Sequence, residues 1–399
     1  MAPESPSTAV NPAAHEPHRL RRFRFNRSQK LAALLLLWLL AQCLWHMQRA
    51  PLTESDYQYA RCGREMWERP SPIAGYFTSC GNIHDGVLAY RMAGLPLTLQ
   101  RIVLGQSAET STWEMRHELS FVRLLLRLPF TLAALLLGGA LWWVTRRLFG
   151  NAGGFVALAF YCVSPAIVAA AITPNAEITA ALGIYSVLYT AIGVAHAMQG
   201  PRRKWRPRIV LLAAGLGIVA ASHAAALLLT LPLAFLFMLY LGERHRTAVP
   251  MVMLLSTLGA FLVLFACYGF QPDALTYFFR SAAGRMEFST LPARAHLFGL
   301  ADAGFAVAMA AAALLYIATR RSRYFGNTTP LLIALCLAFV VTPSVFSQPW
   351  MWTLPFLMTF AGGVFADALE TVHARTFRWA IVAMVVVQAM LTLALPFLP

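Results

Sequence analysis

The chain has 399 residues, of which 58% are hydrophobic and 12% are charged, about half the charged fraction of an average soluble domain. Its mean hydropathy is +0.59. This composition excludes a soluble enzyme, and repeated apolar runs of ~17–24 residues match the length that a helix needs to cross a hydrocarbon core of about 30 Å. The sequence therefore predicts an all-α, polytopic integral membrane protein.

The net charge of +15 lies on one side of the predicted membrane. Loops that alternate along the chain carry all of this excess, while the rest of the chain is neutral, as expected when these loops are cytoplasmic. We therefore predict a multi-pass protein of the bacterial cytoplasmic (inner) membrane, with a cytoplasmic N-terminus, a periplasmic C-terminus and no nucleic-acid partner. The basic clusters are Arg19 to Lys30, Arg146/Arg147, Arg202 to Arg208, Arg244/Arg246, Arg320 to Arg323 and Arg375/Arg378.

In chain order, residues 1–30 are predicted to form a disordered basic tail, and residues 31–399 a single transmembrane domain of about eleven helices. The apolar stretch 209–241 is too long for one crossing and has basic residues at both ends, which predicts a turn near Ser222-His223 and a return. The predicted helices span residues 31–47, 119–144, 153–172, 176–198, 209–222, 223–241, 248–269, 301–318, 328–346, 350–366 and 377–395.

Two predicted outer loops, residues 48–118 and 270–300, are unusually long, and loops of this length are usually functional. The first loop contains two segments, Tyr57 to Glu68 and Gly86 to Leu104, that mix apolar and aromatic residues with charged ones. We predict that both are helices lying in the headgroup plane.

The six cysteines divide into two groups. Two share the first outer loop, where their spacing permits but does not require a disulfide in an oxidising periplasm. The other four lie in apolar helices and are predicted to be small core residues. The loop cysteines are Cys62 and Cys80, and the helix cysteines are Cys43, Cys162, Cys267 and Cys336.

The motifs of soluble enzymes are missing, since the chain has no Walker loop, His-Glu-x-x-His or Gly-x-Ser-x-Gly sequence. Polar residues instead gather at the outer ends of the predicted helices, beginning with Asp56, shortly after the first helix. A carboxylate there can act as a general base for an acceptor hydroxyl or amine, or as a metal ligand. Alternatively, Asp56 is the N-cap of a helix that begins at Tyr57.

Two further acidic positions have a functional and a structural interpretation. His84 and Asp85 can bind a divalent metal together with Asp56 or hold a phosphate-bearing substrate, or they form an exposed turn before Gly86. Glu177, in a short outer turn, is either a second acid of the site or an ordinary first-turn residue favoured by the helix dipole.

Basic residues of the outer side also have two interpretations. His223, at the predicted hairpin, is a site residue or a structural histidine. Arg285, with Arg280 and Arg294 in the second long loop, can clamp a lipid phosphate or anchor the loop to anionic headgroups.

The run from Asp56 to Met66, Asp-Tyr-Gln-Tyr-Ala-Arg-Cys-Gly-Arg-Glu-Met, resembles the first-loop segment of the C-superfamily membrane glycosyltransferases. Within that superfamily the closest similarity is to the aminoarabinose transferases of lipid A and the protein O-mannosyltransferases. The family segment begins with an acid pair, which is replaced here by Ser55-Asp56, so only Asp56 matches the base. Gly86 to Tyr90 is similar to the family's Pro-Pro-Leu-x-Tyr. In the family, Lys or His comes just before this segment, whereas His84-Asp85 comes before it here.

The resemblance covers roughly Asp56 to Leu241 and implies an inverting transfer of a sugar from a polyprenyl-phosphate donor to a lipid, glycan or protein acceptor on the outer face. Asp56 would be the general base, and a divalent metal held by Asp56, Asp85 and His84 is left open. Membrane lipids and a membrane protein are further predicted partners. Two alternatives are a non-catalytic membrane subunit that binds a polyprenyl lipid or a partner protein, and a transporter of a lipid-linked substrate. The implied substrate-binding residues are Tyr57, Tyr59, Arg61, Arg64, His84, Asp85, Tyr90, Glu177, His223 and Arg285.

Overall fold

The computed structural model describes residues 26–68, 86–104, 118–200, 205–272, 287–288, 303–319, 324–338, 340–341 and 350–394. These residues form helices and one short strand pair, and the predicted all-α membrane fold is confirmed. The helices are α1 (Arg27–Arg49), α2 (Glu54–Glu68), α3 (Val87–Leu104), α4 (Glu118–Cys162), α5 (Pro165–Ile172), α6 (Glu177–Met198), α7 (Arg206–Ser222), α8 (Ala224–Leu241), α9 (Val249–Cys267), α10 (Ala303–Thr319), α11 (Tyr324–Ala338), α12 (Trp350–Leu369) and α13 (Ala374–Ala394).

Helix α1 illustrates how the sequence builds a membrane span. Asn26 caps its first turn, and the Gln29 side chain accepts the Asn26 N–H in return, so the first backbone donors are satisfied. Leu34 and Leu37 are exposed on one side of the helix, whereas Leu39 is buried on the other. A helix that is apolar on all sides is typical of a span with one face toward lipid and the other toward neighbouring helices.

Seven segments of the described chain are long and apolar enough to cross a membrane, and two shorter apolar helices join them. Each of the eleven predicted crossings coincides with a helix or with part of one. The seven segments are Arg27–Arg49, Phe121–Cys162, Glu177–Met198, Ala224–Leu241, His245–Cys267, Met351–Leu369 and Ala374–Ala394, and the shorter ones are Gly304–Ala318 and Thr328–Leu337.

Helix α4 contains two arms that fold back on each other at Gly150, whose φ of 82° lies in the left-handed region. Only glycine adopts this conformation without a steric penalty. The second arm and α5 return along the first arm. The Tyr161 hydroxyl donates to the Ala134 carbonyl at 2.7 Å, and the Thr131 hydroxyl donates to the Ala171 carbonyl at 2.9 Å.

Helices α6, α7 and α8 alternate in direction and so define two ends of the bundle. Helices α6 and α8 begin, and α7 ends, at the end that contains Asp56, Glu177 and His223, which we call the Asp56 end. The turn at Gly150 lies at the opposite end with Arg146, which we call the Arg146 end. The predicted reversal at Ser222-His223 is confirmed, since His223 is extended between α7 and α8.

One predicted helix boundary was wrong. The helix predicted over residues 328–346 ends at Ala338, and Val340–Val341 (β2) instead pairs antiparallel with Glu287–Phe288 (β1). Valine is β-branched and favours an extended backbone. Hydropathy does not distinguish the two states in a short apolar run.

Candidate functional site at the Asp56 end

Asp56 lies in the first turn of α2 and is 1% exposed. Its backbone N–H donates to the Thr53 hydroxyl at 3.3 Å, and its carboxylate oxygen Oδ2 accepts the Thr53 N–H at 3.1 Å. This reciprocal pair is the arrangement of a capping box, with Thr53 at the cap position. The alternative that Asp56 itself caps a helix beginning at Tyr57 is therefore wrong, because α2 begins at Glu54.

Arg127 of α4 forms a buried ion pair with Asp56. Its Nη2 atom lies 2.6 Å from Asp56 Oδ2, and each side chain is 1% exposed. The same guanidinium donates to the Ala50 carbonyl at 3.1 Å and to the Pro51 carbonyl at 2.8 Å. These carbonyls follow α1, where backbone acceptors lack helical partners. Arg127 thus joins the end of α1, the start of α2 and α4.

One atom of each partner in this pair has no hydrogen bond within the described part of the chain. They are Oδ1 of Asp56, which can accept, and Nε of Arg127, which donates. Both atoms are buried, and a buried polar group without a partner costs about 1–3 kcal/mol. Oδ2 of Asp56 is therefore held by the ion pair, while Oδ1 of Asp56 is left to accept from a further group and Nε of Arg127 to donate to one.

The tyrosines predicted to bind substrate pack between α2 and α3. Tyr59 and Tyr90 are both buried, and their rings stack with centroids 4.3 Å apart. The helices also approach closely at Gly63 and Gly94, where a Cβ atom on Gly94 would lie 2.1 Å from the Gly63 carbonyl carbon. Tyr57 is exposed on the same helix as Tyr59. The two segments predicted as interfacial helices thus form one packed pair.

Arg61 and Arg64, which were predicted to bind substrate, lie further along α2, where each has an acidic neighbour. Arg61 is largely exposed and lies 3.8 Å from Glu65. Arg64 donates to the Glu68 carboxylate at 3.1 Å, and Arg101 of α3 lies 3.4 Å from the same carboxylate. The first two ion pairs lie within α2, and only the one with Arg101 joins the two helices. The structure does not bring Arg61 or Arg64 to Asp56.

Glu177 begins α6 and is buried. The Asn175 side chain accepts the backbone N–H groups of Glu177 and Ile178 at 3.1 and 3.2 Å, which caps the helix in the manner of an Asx turn. Its amide nitrogen donates to the Ala170 carbonyl at 3.2 Å. Asn175 therefore fixes the start of α6 relative to α5.

His223 is buried in the turn between α7 and α8. Its ring meets the ring of Trp352 of α12 edge to face, with centroids 5.1 Å apart. The preceding residue, Ser222, accepts the Gly86 N–H through its carbonyl at 2.8 Å. The start of α3, the α7–α8 turn and α12 therefore meet at the Asp56 end.

Several predicted residues lie outside the described chain. They are His84, Asp85, Arg280, Arg285 and Arg294. Within the described residues no group of three or more His, Cys, Asp or Glu side chains lies together. The predicted metal set of Asp56, Asp85 and His84 has only one described member, so we derive no step through a metal, and the divalent metal stays a prediction.

Cys62 of α2 is disulfide-bonded, in agreement with a disulfide in the first outer loop. Cys80, its predicted partner, lies outside the described residues. The four cysteines of the apolar helices, Cys43, Cys162, Cys267 and Cys336, are free.

The sequence analysis missed Arg127. A signal was present, because an arginine within the apolar stretch 119–144 is rare in membrane helices and marks a functional or buried polar position. Arg123, one turn earlier, donates to the Gln48 carbonyl at 2.9 Å. Because the two arginines are four residues apart, they lie on one face of α4 and both contact the end of α1.

Solved structures share this fold. ArnT from Cupriavidus metallidurans bound to undecaprenyl phosphate aligns with a TM-score of 0.57 and 16% identity over 92% of this chain and 65% of that chain. Its apo state aligns with the same score and identity. The archaeal oligosaccharyltransferase AglB from Archaeoglobus fulgidus, in complex with an inhibitory peptide and a dolichol-phosphate, gives a TM-score of 0.54 and 11% identity over 92% of this chain and 56% of that chain.

The other comparisons do not establish a family. A family model for the Yip1 domain, a different family from those of the solved structures, matches residues 65–224, which is less than half of the chain. No curated protein sequence matches the chain significantly. The chain spans about two thirds of the length of ArnT. What is shown is the fold of a polytopic membrane protein similar to ArnT and AglB.

Proposed function

We propose that the protein is a glycosyltransferase that moves a sugar from a polyprenyl-phosphate donor to an acceptor at the Asp56 end, with inversion at the anomeric carbon and Asp56 as general base. The fold supports the donor class, since ArnT and AglB are solved with undecaprenyl phosphate and dolichol-phosphate, respectively. The observation that carries the assignment of the base is the unpartnered Oδ1 of the buried Asp56 carboxylate.

Base catalysis at Asp56 follows from this geometry. Arg127 and the Thr53 N–H hold Oδ2, so the carboxylate has one fixed orientation and presents Oδ1 to the acceptor. The guanidinium forms a charge-assisted hydrogen bond to Oδ2 and none to Oδ1. As the acceptor oxygen attacks the anomeric carbon, its proton passes to Oδ1, and the polyprenyl phosphate leaves with the electrons of the broken bond.

A non-catalytic subunit that binds a polyprenyl lipid or a partner protein is the second candidate. The ion pair with Arg127 favours it, because Asp56 is almost completely buried and one of its oxygens has two donors. An acceptor can reach Oδ1 only if the groups that cover it move. In this case the pair would serve only to join α1, α2 and α4. The transporter alternative is the weakest, since no observation in the described residues favours it.

The test is transfer from a panel of radiolabelled polyprenyl-phosphate sugars in membranes that contain the wild type or Asp56→Asn. We expect Asp56→Asn to lower turnover by about 10²–10⁴-fold, the usual contribution of a catalytic base. The matched control is Glu54→Gln, which neutralises an exposed acid two residues away. Near-normal turnover of a folded Asp56→Asn protein excludes Asp56 as the base, and donor binding without consumption by the wild type supports the non-catalytic subunit.

We further propose that the Asp56 end faces the periplasm of a bacterial inner membrane. The proposal is supported by the distribution of basic residues, which favours a cytoplasmic location for the opposite loops. The disulfide at Cys62 supports the same orientation, because disulfides persist in oxidising compartments.

A further inference from the structure

Two atoms of the Asp56–Arg127 pair have no hydrogen-bond partner among the described residues, and they differ in type. Oδ1 of Asp56 only accepts, and Nε of Arg127 only donates. They belong to two side chains that are joined by a 2.6 Å contact between Arg127 Nη2 and Asp56 Oδ2. The group that satisfies them must donate one hydrogen bond and accept another.

The charge of the ion pair limits which chemical group can bind to these two atoms. A carboxylate and a guanidinium together are neutral, and both side chains are 1% exposed. A phosphate placed there would meet Oδ1 with like charge, and an ammonium would meet Arg127 with like charge. Either would also bring a net charge into a buried position, which costs several kcal/mol per ion. A neutral hydroxyl adds no charge, and its oxygen has two lone pairs, one to accept the Arg127 N–H and one to attack the anomeric carbon. A neutral amine has a single lone pair, which cannot do both.

We propose that the acceptor substrate presents a neutral alcohol hydroxyl to this pair, so that the enzyme glycosylates alcohols rather than amines or phosphates. This inference rests on the proposed function and names its acceptor class. The hydroxyl donates its proton to Asp56 Oδ1 and accepts the Arg127 Nε–H. Arg127 therefore both orients the base and selects the acceptor.

The reaction then balances without a further reactant. The acceptor oxygen forms a bond to the anomeric carbon, and the bond from that carbon to the phosphate oxygen breaks. The electron pair leaves with the polyprenyl phosphate, and the acceptor proton stays on Asp56 until it is released to solvent. The products are a glycoside of the alcohol and the free polyprenyl phosphate.

The experiment uses the purified full chain in proteoliposomes with the radiolabelled donor that it binds. Decanol, decylamine and decyl phosphate are offered separately as acceptors of equal chain length, and release of free sugar reports water as the smallest hydroxyl acceptor. We expect wild-type transfer to decanol or water to exceed transfer to the other two by about 10²-fold or more, as for sites that hydrogen-bond a substrate hydroxyl.

The variant Arg127→Gln tests selection separately from folding. It leaves Asp56 as a buried anion that prefers a cationic acceptor, so the ratio of decanol to decylamine transfer should fall at least tenfold (about 1.4 kcal/mol). A merely structural role would lower both rates equally. The double variant Asp56→Asn/Arg127→Gln is neutral and serves as the folding control, with thermal unfolding measured for each protein.

The outcomes separate the two proposals. Equal or faster transfer to decylamine or decyl phosphate by the wild type overturns the hydroxyl inference and leaves the glycosyltransferase intact. An unchanged acceptor ratio in folded Arg127→Gln overturns the role of Arg127. If the wild type binds donor but neither transfers nor hydrolyses it, or binds no donor of the panel, the proposed function fails and the inference fails with it.

Discussion

A single buried ion pair joins three helices at the Asp56 end. Arg127 satisfies the Ala50 and Pro51 carbonyls as well as Asp56 Oδ2. Asp56 also accepts the Thr53 N–H. The two side chains are therefore not equivalent, because loss of the arginine leaves a buried carboxylate and two carbonyls without partners. Loss of the carboxylate charge leaves most of the hydrogen bonds in place.

This difference predicts the stability of the variants. Arg127→Met should destabilise the protein by about 3–5 kcal/mol, the cost of breaking a buried pair, and Asp56→Asn by less, because its amide oxygen can still accept from Arg127 and Thr53. Asp56→Asn/Arg127→Met should be more stable than the sum of the single losses predicts. Thermal unfolding in detergent of the wild type, the two single variants and the double variant measures the coupling between the two side chains. Strictly additive losses would show that the two side chains are not coupled.

For single residues, the sequence predicted positions along the helices better than side-chain contacts between helices. Asp56, Glu177 and His223 were predicted at one end of the helices, and their helix-end positions bear this out. Arg127 was missed because hydropathy locates a span without showing which face of it is buried. Tyr59 and Tyr90 were predicted to bind substrate, which stays a prediction, and the stacking of their rings was not predicted. A pairwise contact between residues of two helices is set by packing, and neither helix encodes it alone.

At the scale of elements, glycines determine how closely helices approach. A Cβ on Gly94 of α3 would lie 2.1 Å from the Gly63 carbonyl carbon of α2, whereas nothing lies within 4 Å of one on Gly139 of α4. The first contact is with rigid backbone, so the helices must separate if a methyl group is added. Separation would also disturb the stack of Tyr59 on Tyr90.

The same substitution should therefore have opposite effects at the two positions. Gly94→Ala should destabilise the protein by about 1–3 kcal/mol through overpacking. Gly139→Ala should stabilise it by about 0.5–1 kcal/mol, because alanine loses less backbone entropy in a helix. Thermal unfolding of both variants in one detergent gives the comparison. A Gly94→Ala protein as stable as Gly139→Ala would contradict the close contact between α2 and α3.

Element boundaries were predictable where hydropathy and charge change together. The turn at Ser222-His223 followed from basic residues at both ends of one long apolar stretch. The sequence predicted one helix on each side of the sharp reversal at Gly150, and both are present. The left-handed backbone of Gly150 was not predicted. The strand pair of Glu287–Phe288 with Val340–Val341 was missed because it joins segments distant in sequence.

At the scale of the whole molecule, charge and disulfide chemistry support the same proposed orientation by independent physical routes. Basic loops are retained on the cytoplasmic side during insertion, and a disulfide such as that of Cys62 persists on the oxidising side. Cys62 lies in α2, next to the site. The proposed chemistry requires this agreement, since both the donor headgroup and the acceptor would have to reach the Asp56 end from the periplasm.

Orientation can be measured with two exposed positions at opposite ends. Glu54 begins α2 at the Asp56 end, and Val372, which is 99% exposed, lies between α12 and α13 at the Arg146 end. We expect a membrane-impermeant maleimide to label Glu54→Cys in cells whose outer membrane alone is permeabilised. Val372→Cys should react only after the inner membrane is opened, because its loop is predicted to be cytoplasmic. The wild type corrects for its own free cysteines, of which Cys336 is exposed. Labelling in the reverse order would place the Asp56 end in the cytoplasm, where the Cys62 disulfide would be reduced and a periplasmic acceptor could not reach the site.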